Sequence, residues 1–229
     1  MTTSPNTQTP APRRPQGWRL ALLASGATLL AGGPMHPDSD ASGSMREELA
    51  TMTADEMWVP GHTLVVIGTV LLVVGLWMAR RRQVWPQAAG RPLAVAVVAL
   101  SLYAVETVFH LAAVVDSHAL DAGHAAPVAF THLGLAAVLY PVSGLAVVYL
   151  ATTLARIQGG LRRVVALLGV VGGLAHAVVV PLTFLSPDTE FTPLFAVAGV
   201  LLALWALGTA ATGARAEKTA APQELASVG

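Results

Sequence analysis

Seven histidines and one isolated carboxyl group carry most of the chemistry this sequence can offer. Glu106 is the only acidic residue inside an apolar run. His110 follows four residues later, so the two share one face of a helix. Tyr103 and Thr107 extend that polar stripe. His132, Tyr140 and Ser143 form a second stripe, and His176 and Thr183 a third that also carries Gly169, Gly172 and Gly173. His36 and His62 lie at the ends of two further apolar runs. His118 and His124 alternate with Asp116 and Asp121 in a polar stretch.

Neutral imidazole is the commonest metal ligand. Several imidazoles with one carboxylate suit zinc, iron or copper. Two facing imidazoles on neighbouring helices suit a b-type haem, with nearby glycines leaving room for its plane. The candidate metal ligands are His36, His62, Glu106, His110, His132 and His176. The last three histidines are also the candidate cofactor-binding residues, and Glu106 is the candidate catalytic group. Each has a plainer reading. His36 and His62 fall near lipid headgroups, where polar residues are ordinary. His118 and His124 suit a solvated loop, although Asp116, His118, Asp121 and His124 are spaced to collect a cation. Glu106 can serve simply to fix helix registry.

The elements that position these groups follow from composition. Hydrophobic residues make up 54% of the 229 and charged residues only 11%, against about 25% charged in an average soluble domain. A soluble enzyme, a disordered chain and a nucleic-acid binder are all excluded on that balance. Cysteine is absent, which removes disulfides, thiolate catalysis and iron–sulfur clusters. One lysine stands against twelve arginines, a bias typical of GC-rich bacterial coding sequences. Phosphate-binding glycine loops, Gly-x-Ser-x-Gly and His-Glu-x-x-His are all missing.

A membrane-spanning helix needs about 20 apolar residues. Six stretches qualify, near Trp18–Met35, Gly61–Ala79, Pro92–Val115, Val128–Leu154, Val164–Leu185 and Pro193–Ala214. The first is the shortest and also has features of a signal peptide. Twelve of the thirteen basic residues fall on one side of this arrangement, Arg46 being the exception, and the positive-inside rule makes that side cytoplasmic. Asp38, Asp40, Glu47, Glu48, Asp55, Glu56, Asp116, Asp121, Asp188 and Glu190 fall on the other.

The expected fold is therefore an all-α integral membrane protein, a six-helix transmembrane bundle over residues 17–214. Disordered cytoplasmic segments flank it at 1–16 and 215–229, and both ends are inside a bacterial inner membrane. Ser44-Met45-Arg46-Glu47 is a capping-box pattern opening a short amphipathic helix in the first outer loop. That helix either roofs the bundle or rests on headgroups. The spans pair into three hairpins with histidine at similar places: His36 with His62, His110 with His132, and His176 with Phe195 in the sixth position.

On this geometry His110, His132 and His176 lie about 5–15 Å below the outer ends of their helices. The leading expectation is a metal or b-haem site in the outer half, serving redox chemistry, metal handling or a metal-assisted reaction on a lipophilic substrate. A second is a proton-coupled transporter or cofactor-free membrane enzyme acting on an isoprenoid-like substrate through Glu106. A third is a structural membrane partner without chemistry. The expected partners are the lipid bilayer, a lipophilic small molecule and a second copy of the chain.

Overall fold

The computed structural model describes residues 16–37, 43–187 and 189–220, with side chains as far as Gly213. Backbone polar groups in lipid must be satisfied internally, and a helix does this within one segment. The chain forms α1 (Gly17–Gly32), α2 (Met45–Ala54), α3 (Trp58–Arg81), α4 (Gly90–Ala112), α5 (Ser117–Asp121), α6 (Pro127–Ile157), α7 (Gly160–Leu185) and α8 (Thr192–Ala220). Short 3-10 turns follow α1 and flank α4. No strand occurs among the described residues. The irregular start and tail expected from composition fall largely outside those residues, as do Arg13, Arg14, Asp38, Asp40 and Asp188 and the side chains of Arg215 and Lys218.

Five helical stretches are long and apolar enough to cross a membrane: α3, the stretch Gln87–Asp121 containing α4, α6, α7 and α8. The first expected span differs. Helix α1 has 16 residues and ends at Gly32, where Gly33-Pro34-Met35 tightens into a 3-10 turn. Two glycines weaken the helix there, and Pro34 has no N–H to continue it. Pro141 and Pro181 lie inside α6 and α7, both of which continue through them.

Packing order follows chain order: α1 on α3, α3 on α4, α4 on α6, α6 on α7, α7 on α8, with α8 returning to α1. Neighbours run antiparallel. Gly32 sits against Gly61 and Leu64 while Gly75 sits against Leu22. Ser25 Oγ donates to Gly68 O across the same seam at 2.7 Å. Arg19 Nε donates to Ala210 O at 2.8 Å, closing α1 onto α8. Between α6 and α7, Gly144 and Gly173 face each other and the two backbones approach closely. Apolar solvent supplies no hydrophobic drive between helices, so such close contact is what holds the seam.

This up-and-down order separates two ends. Arg19, Arg80, Arg81, Arg82, Arg91, Arg156, Arg162 and Arg163 gather at one, while Glu47, Glu48, Asp55, Glu56, Asp116, Asp121 and Glu190 gather at the other. Towards the basic end the interior is filled by an apolar cluster including Trp18, Leu22, Leu76, Leu93, Leu150 and Trp205.

The acidic end carries a roof. Leu49 of α2 packs with Trp58, Ala113, Leu120, Ala126 and Ala129, with Met45 and Met52 beside it. The expected capping box is present: Ser44 Oγ accepts from Glu47 N, and Glu47 Oε2 accepts from Ser44 N at 2.7 Å. These bonds with Ser44 hold the exposed Glu47 carboxyl below its ordinary pKa. Arg46, the one basic residue at this end among those described, donates to His124 O at 2.8 Å and lies 5.2 Å from the Phe130 ring centroid. Helix α2 thus lies against the bundle rather than apart from it.

The α6–α7 seam gives a direct test. A Cβ on Gly144 would meet Gly173 O at 2.5 Å and Ala177 N at 2.7 Å, and backbone atoms cannot yield as a flexible side chain can. Gly144→Val is expected to destabilise the protein by about 2–3 kcal/mol. Gly134→Ala, whose Cβ would meet nothing within 4 Å, leaves stability unchanged or slightly raised. Thermal unfolding of the two variants in detergent measures the difference.

Candidate metal centre

Two antiparallel helix contacts and one turn bring the polar stripes together beneath α2. The start of α3 meets the end of α4, the end of α4 meets the start of α6, and the turn after α1 folds over both. Trp58 is the shared wall. It is fully buried, and its indole Nε1 donates to Leu111 O at 3.2 Å, which fixes the ring between α3 and α4. Its ring centroid lies 4.0 Å from that of His62, 5.2 Å from His110 and 6.2 Å from His36.

His36, His62 and His110 form one group of potential ligands, and Glu106, His110 and His132 form a second. Within each, one ligand atom per residue lies within 4.8 Å of the others. In the first group the ring centroids are 4.9 Å apart for His36–His62, 4.3 Å for His62–His110 and 5.9 Å for His36–His110. A tetrahedral zinc ion with Zn–N near 2.1 Å sets its ligand ring centroids about 5 Å apart. The first group therefore has the spacing of an ion's coordination shell, and its rings are tilted to one another rather than stacked.

Hydrogen bonds fix which nitrogen each imidazole presents. His62 Nδ1 lies 2.7 Å from Trp58 O, and His36 Nδ1 lies 2.8 Å from Pro37 O. A carbonyl only accepts, so Nδ1 is the donor in both rings and Nε2 carries the lone pair. Orientation of a ligand histidine through its other nitrogen is the usual outer-sphere arrangement of metal sites. His62 is 2% exposed and its Nε2 has no hydrogen-bond partner. Buried polar atoms are normally paired, so this lone pair points to a ligand.

Behind this group stands the Glu106–His132 pair. His132 Nδ1 donates to Glu106 Oε1 at 2.7 Å, linking α4 to α6. His110 Nδ1 lies 4.0 Å from the same oxygen, and its ring stacks on His132 at 3.9 Å. Glu106 is fully buried, and Oε2 has no partner.

His176 belongs elsewhere. Its Nε2 is 3.1 Å from Ser143 Oγ, its ring stacks on Tyr140 at 4.4 Å, and Tyr103 meets it edge-on at 4.9 Å. Neither ligand group includes it. Asp116 is also committed: its Oδ2 accepts from Val128 N at 2.6 Å and Ala129 N at 3.0 Å, capping the start of α6. That bond pattern takes Asp116 out of the loop constellation with His118, Asp121 and His124. Trp58, which touches three of the imidazoles, is not among the residues that spacing and chemistry single out in the sequence. Its signal was an aromatic one helical turn before His62.

The haem expectation fits less well. Axial imidazoles on a haem stand about 6–7 Å apart, centroid to centroid, with the macrocycle between them. The histidine pairs here are in contact at 3.9–5.9 Å, with Trp58 against three of the rings. Comparisons with protein-family models, curated proteins and solved structures found no match, so the functional reading rests on this geometry.

Removing one partner of the Glu106–His132 bond leaves a buried N–H unpaired. Glu106→Leu is expected to cost metal-free protein about 2 kcal/mol or more. Glu106→Gln, whose amide oxygen still accepts, costs less. Thermal unfolding after chelator treatment separates the two. Equal losses would show that the hydrogen bond does not hold α4 to α6.

Proposed function

We propose that this protein is a metal-binding membrane protein whose six helical hairpin arms all cross a bacterial inner membrane, with the acidic end outside. His36, His62 and His110 hold a first-row transition-metal cation just under α2. The observation that carries this is the approach of three imidazoles at tetrahedral spacing, two of them anchored through Nδ1 and one with a buried, unpaired Nε2. Nitrogen donors without thiolate favour Zn(II), Cu(II), Ni(II), Co(II) or Fe(II) over soft ions. Three protein ligands leave a fourth position, as in sites that exchange or activate a small ligand. The exposed His36 puts that position on the acidic face. When bound, the ion would supply Lewis acidity there. The protein's part is to orient the imidazoles and to exclude water through Trp58 and α2.

The orientation rests on charge. The basic residues gather where α3 leaves and α4 enters, which the positive-inside rule places in the cytoplasm. Helix α1 is brought into the set of crossing helices by its antiparallel packing between α3 and α8. The hairpins α1/α3, α4/α6 and α7/α8 are read as one repeated unit, the first two bringing a histidine pair and the third His176 with Phe195 to the same end.

Purified protein is expected to bind close to one Zn(II) or Co(II) per chain, measured by elemental analysis after dialysis. Co(II) should give the intense visible bands of a tetrahedral nitrogen site. His110→Ala, alone or with His62→Ala, loses the ion, whereas His118→Ala, in α5 and outside both groups, retains it. Wild-type protein binding no more metal than the His62→Ala/His110→Ala double variant would sink the reading.

The lack of cysteine makes topology easy to check. In intact cells an impermeant maleimide is expected to label Ala122→Cys but not Gln83→Cys. The reverse pattern would place the centre on the cytoplasmic side.

A further inference from the structure

The two ligand groups share a single residue. His110 stands in the set with His36 and His62 and also in the set with Glu106 and His132. A neutral imidazole has one lone pair, so it ligates one ion at a time. Full occupation of one group therefore excludes full occupation of the other. Each group nevertheless has its own buried atom without a partner: His62 Nε2 in the first and Glu106 Oε2 in the second. Two unsatisfied atoms in adjacent groups that compete for one ligand describe two positions of one ion.

We infer that His36/His62/His110 and Glu106/His110/His132 are successive stations for a single cation, with His110 as the pivot that carries it inward. This rests on the metal-binding reading above and assigns the ion as cargo rather than as a fixed cofactor. Three gradients run the same way. His36 is exposed, His62 is 2% exposed and Glu106 is fully buried. The outer station offers only neutral nitrogens, whereas the inner adds a carboxyl group. A cation in a low-dielectric setting is held far better by a carboxylate than by imidazole alone. The inner station is also the deeper of the two along α4, since Glu106 lies one turn further from the helix end than His110.

The present arrangement matches the outer station. His110 and His132 are stacked with 20° between their planes, so their lone pairs lie in nearly parallel planes and do not meet at one point. Glu106 Oε1 is engaged by His132 Nδ1, so His132 ligates beside Glu106 only when that hydrogen passes to Nε2 and frees the Nδ1 lone pair, with Glu106 Oε2 left to meet the ion. Because His110 Nδ1 already lies 4.0 Å from Glu106, presenting Nδ1 instead of Nε2 moves the lone pair from one station to the other. The hydrogen that leaves Nδ1 is regained at Nε2, so the exchange is neutral in protons and involves no electron transfer. Below Glu106 the next rings are Tyr103 and Tyr140, with His176 against them. The apolar cluster around Trp18 and Trp205 closes the basic end beyond. The inner station is thus where an ion entering from the acidic end comes to rest.

The test is release of bound Zn(II) from full-length protein in detergent to excess chelator, followed by stopped flow. Wild-type protein is expected to release in two phases, fast from the outer station and slow from the inner. Glu106→Gln loses the slow phase, so that this fraction leaves about tenfold faster or more. Glu106→Asp, which keeps the carboxylate, retains a slow phase. His36→Ala keeps the slow phase but loads about tenfold more slowly. Should Glu106→Gln not give a monodisperse protein, His132→Gln is read in the same way. Single-phase release from wild-type protein, or an unaltered slow phase in both Glu106→Gln and His132→Gln, overturns the two-station assignment while leaving a one-site metal protein intact. Failure of wild-type protein to bind Zn(II) at all would instead remove the metal-binding reading on which it rests.

Discussion

The hydrogen bond between His132 and Glu106 is the constraint around which the polar end is arranged. A carboxyl group fully removed from solvent on an apolar helix is expensive unless it is paired. Its partner must come from a neighbouring helix at matching depth, which fixes α4 against α6. Two further ties keep that register. Below it, Tyr103 meets Tyr140 edge to face at 5.1 Å. Above it, Asp116 caps α6 through Val128 and Ala129. With three contacts spaced along one helix pair, a shift of either helix by one residue would break all of them. The stacked His110 ring inherits its place from this register, and Trp58 in turn packs against His110.

The bundle is divided along its axis. Large apolar side chains fill the basic half, where nothing competes with close packing. In the acidic half the interior holds imidazoles, hydroxyls and one carboxyl. Such groups tolerate burial only while hydrogen-bonded or ligated. The remaining exposure there is modest because two connectors, one carrying α2 and the other α5, fold together over the end. A polar interior closed on one side and roofed on the other can exchange material only past the roof. That is why the exposed His36, on the turn that leads into the roof connector, matters more than its surface position suggests.

Much of this was legible in the sequence because it depends on one-dimensional quantities. Apolar run length locates α3, α4, α6, α7 and α8 to within a few residues. The Ser44–Glu47 pattern specified its own hydrogen bonds. Spacing says little where a residue's role depends on angle around the axis or on the path of a connector. His176 lies at a suitable depth but turns to Ser143 and Tyr140, and no spacing rule distinguishes that face from one directed at His132. Nothing in Gly33-Pro34-Met35 announces that the turn brings His36 beside His62. Asp116 sits in a polar stretch, and its bonds to Val128 N and Ala129 N depend on the path from α4 to α6 rather than on any local motif.

Hairpin pairing explains why the centre is lopsided. The first hairpin brings His36 to His62, and the second brings His110 to His132. In the third, the returning helix carries Phe195 near its start, and its ring meets Tyr140 at 6.1 Å. His176 is left without a histidine partner on its own hairpin and is taken up by the tyrosines of the second. The donors are therefore concentrated on one side, along α3 and α4. The single buried carboxyl, which only the second hairpin carries, makes the two histidine pairs chemically unequal. The acidic half of the bundle thus holds an ordered sequence of environments, from exposed imidazole at His36 to the enclosed carboxyl of Glu106.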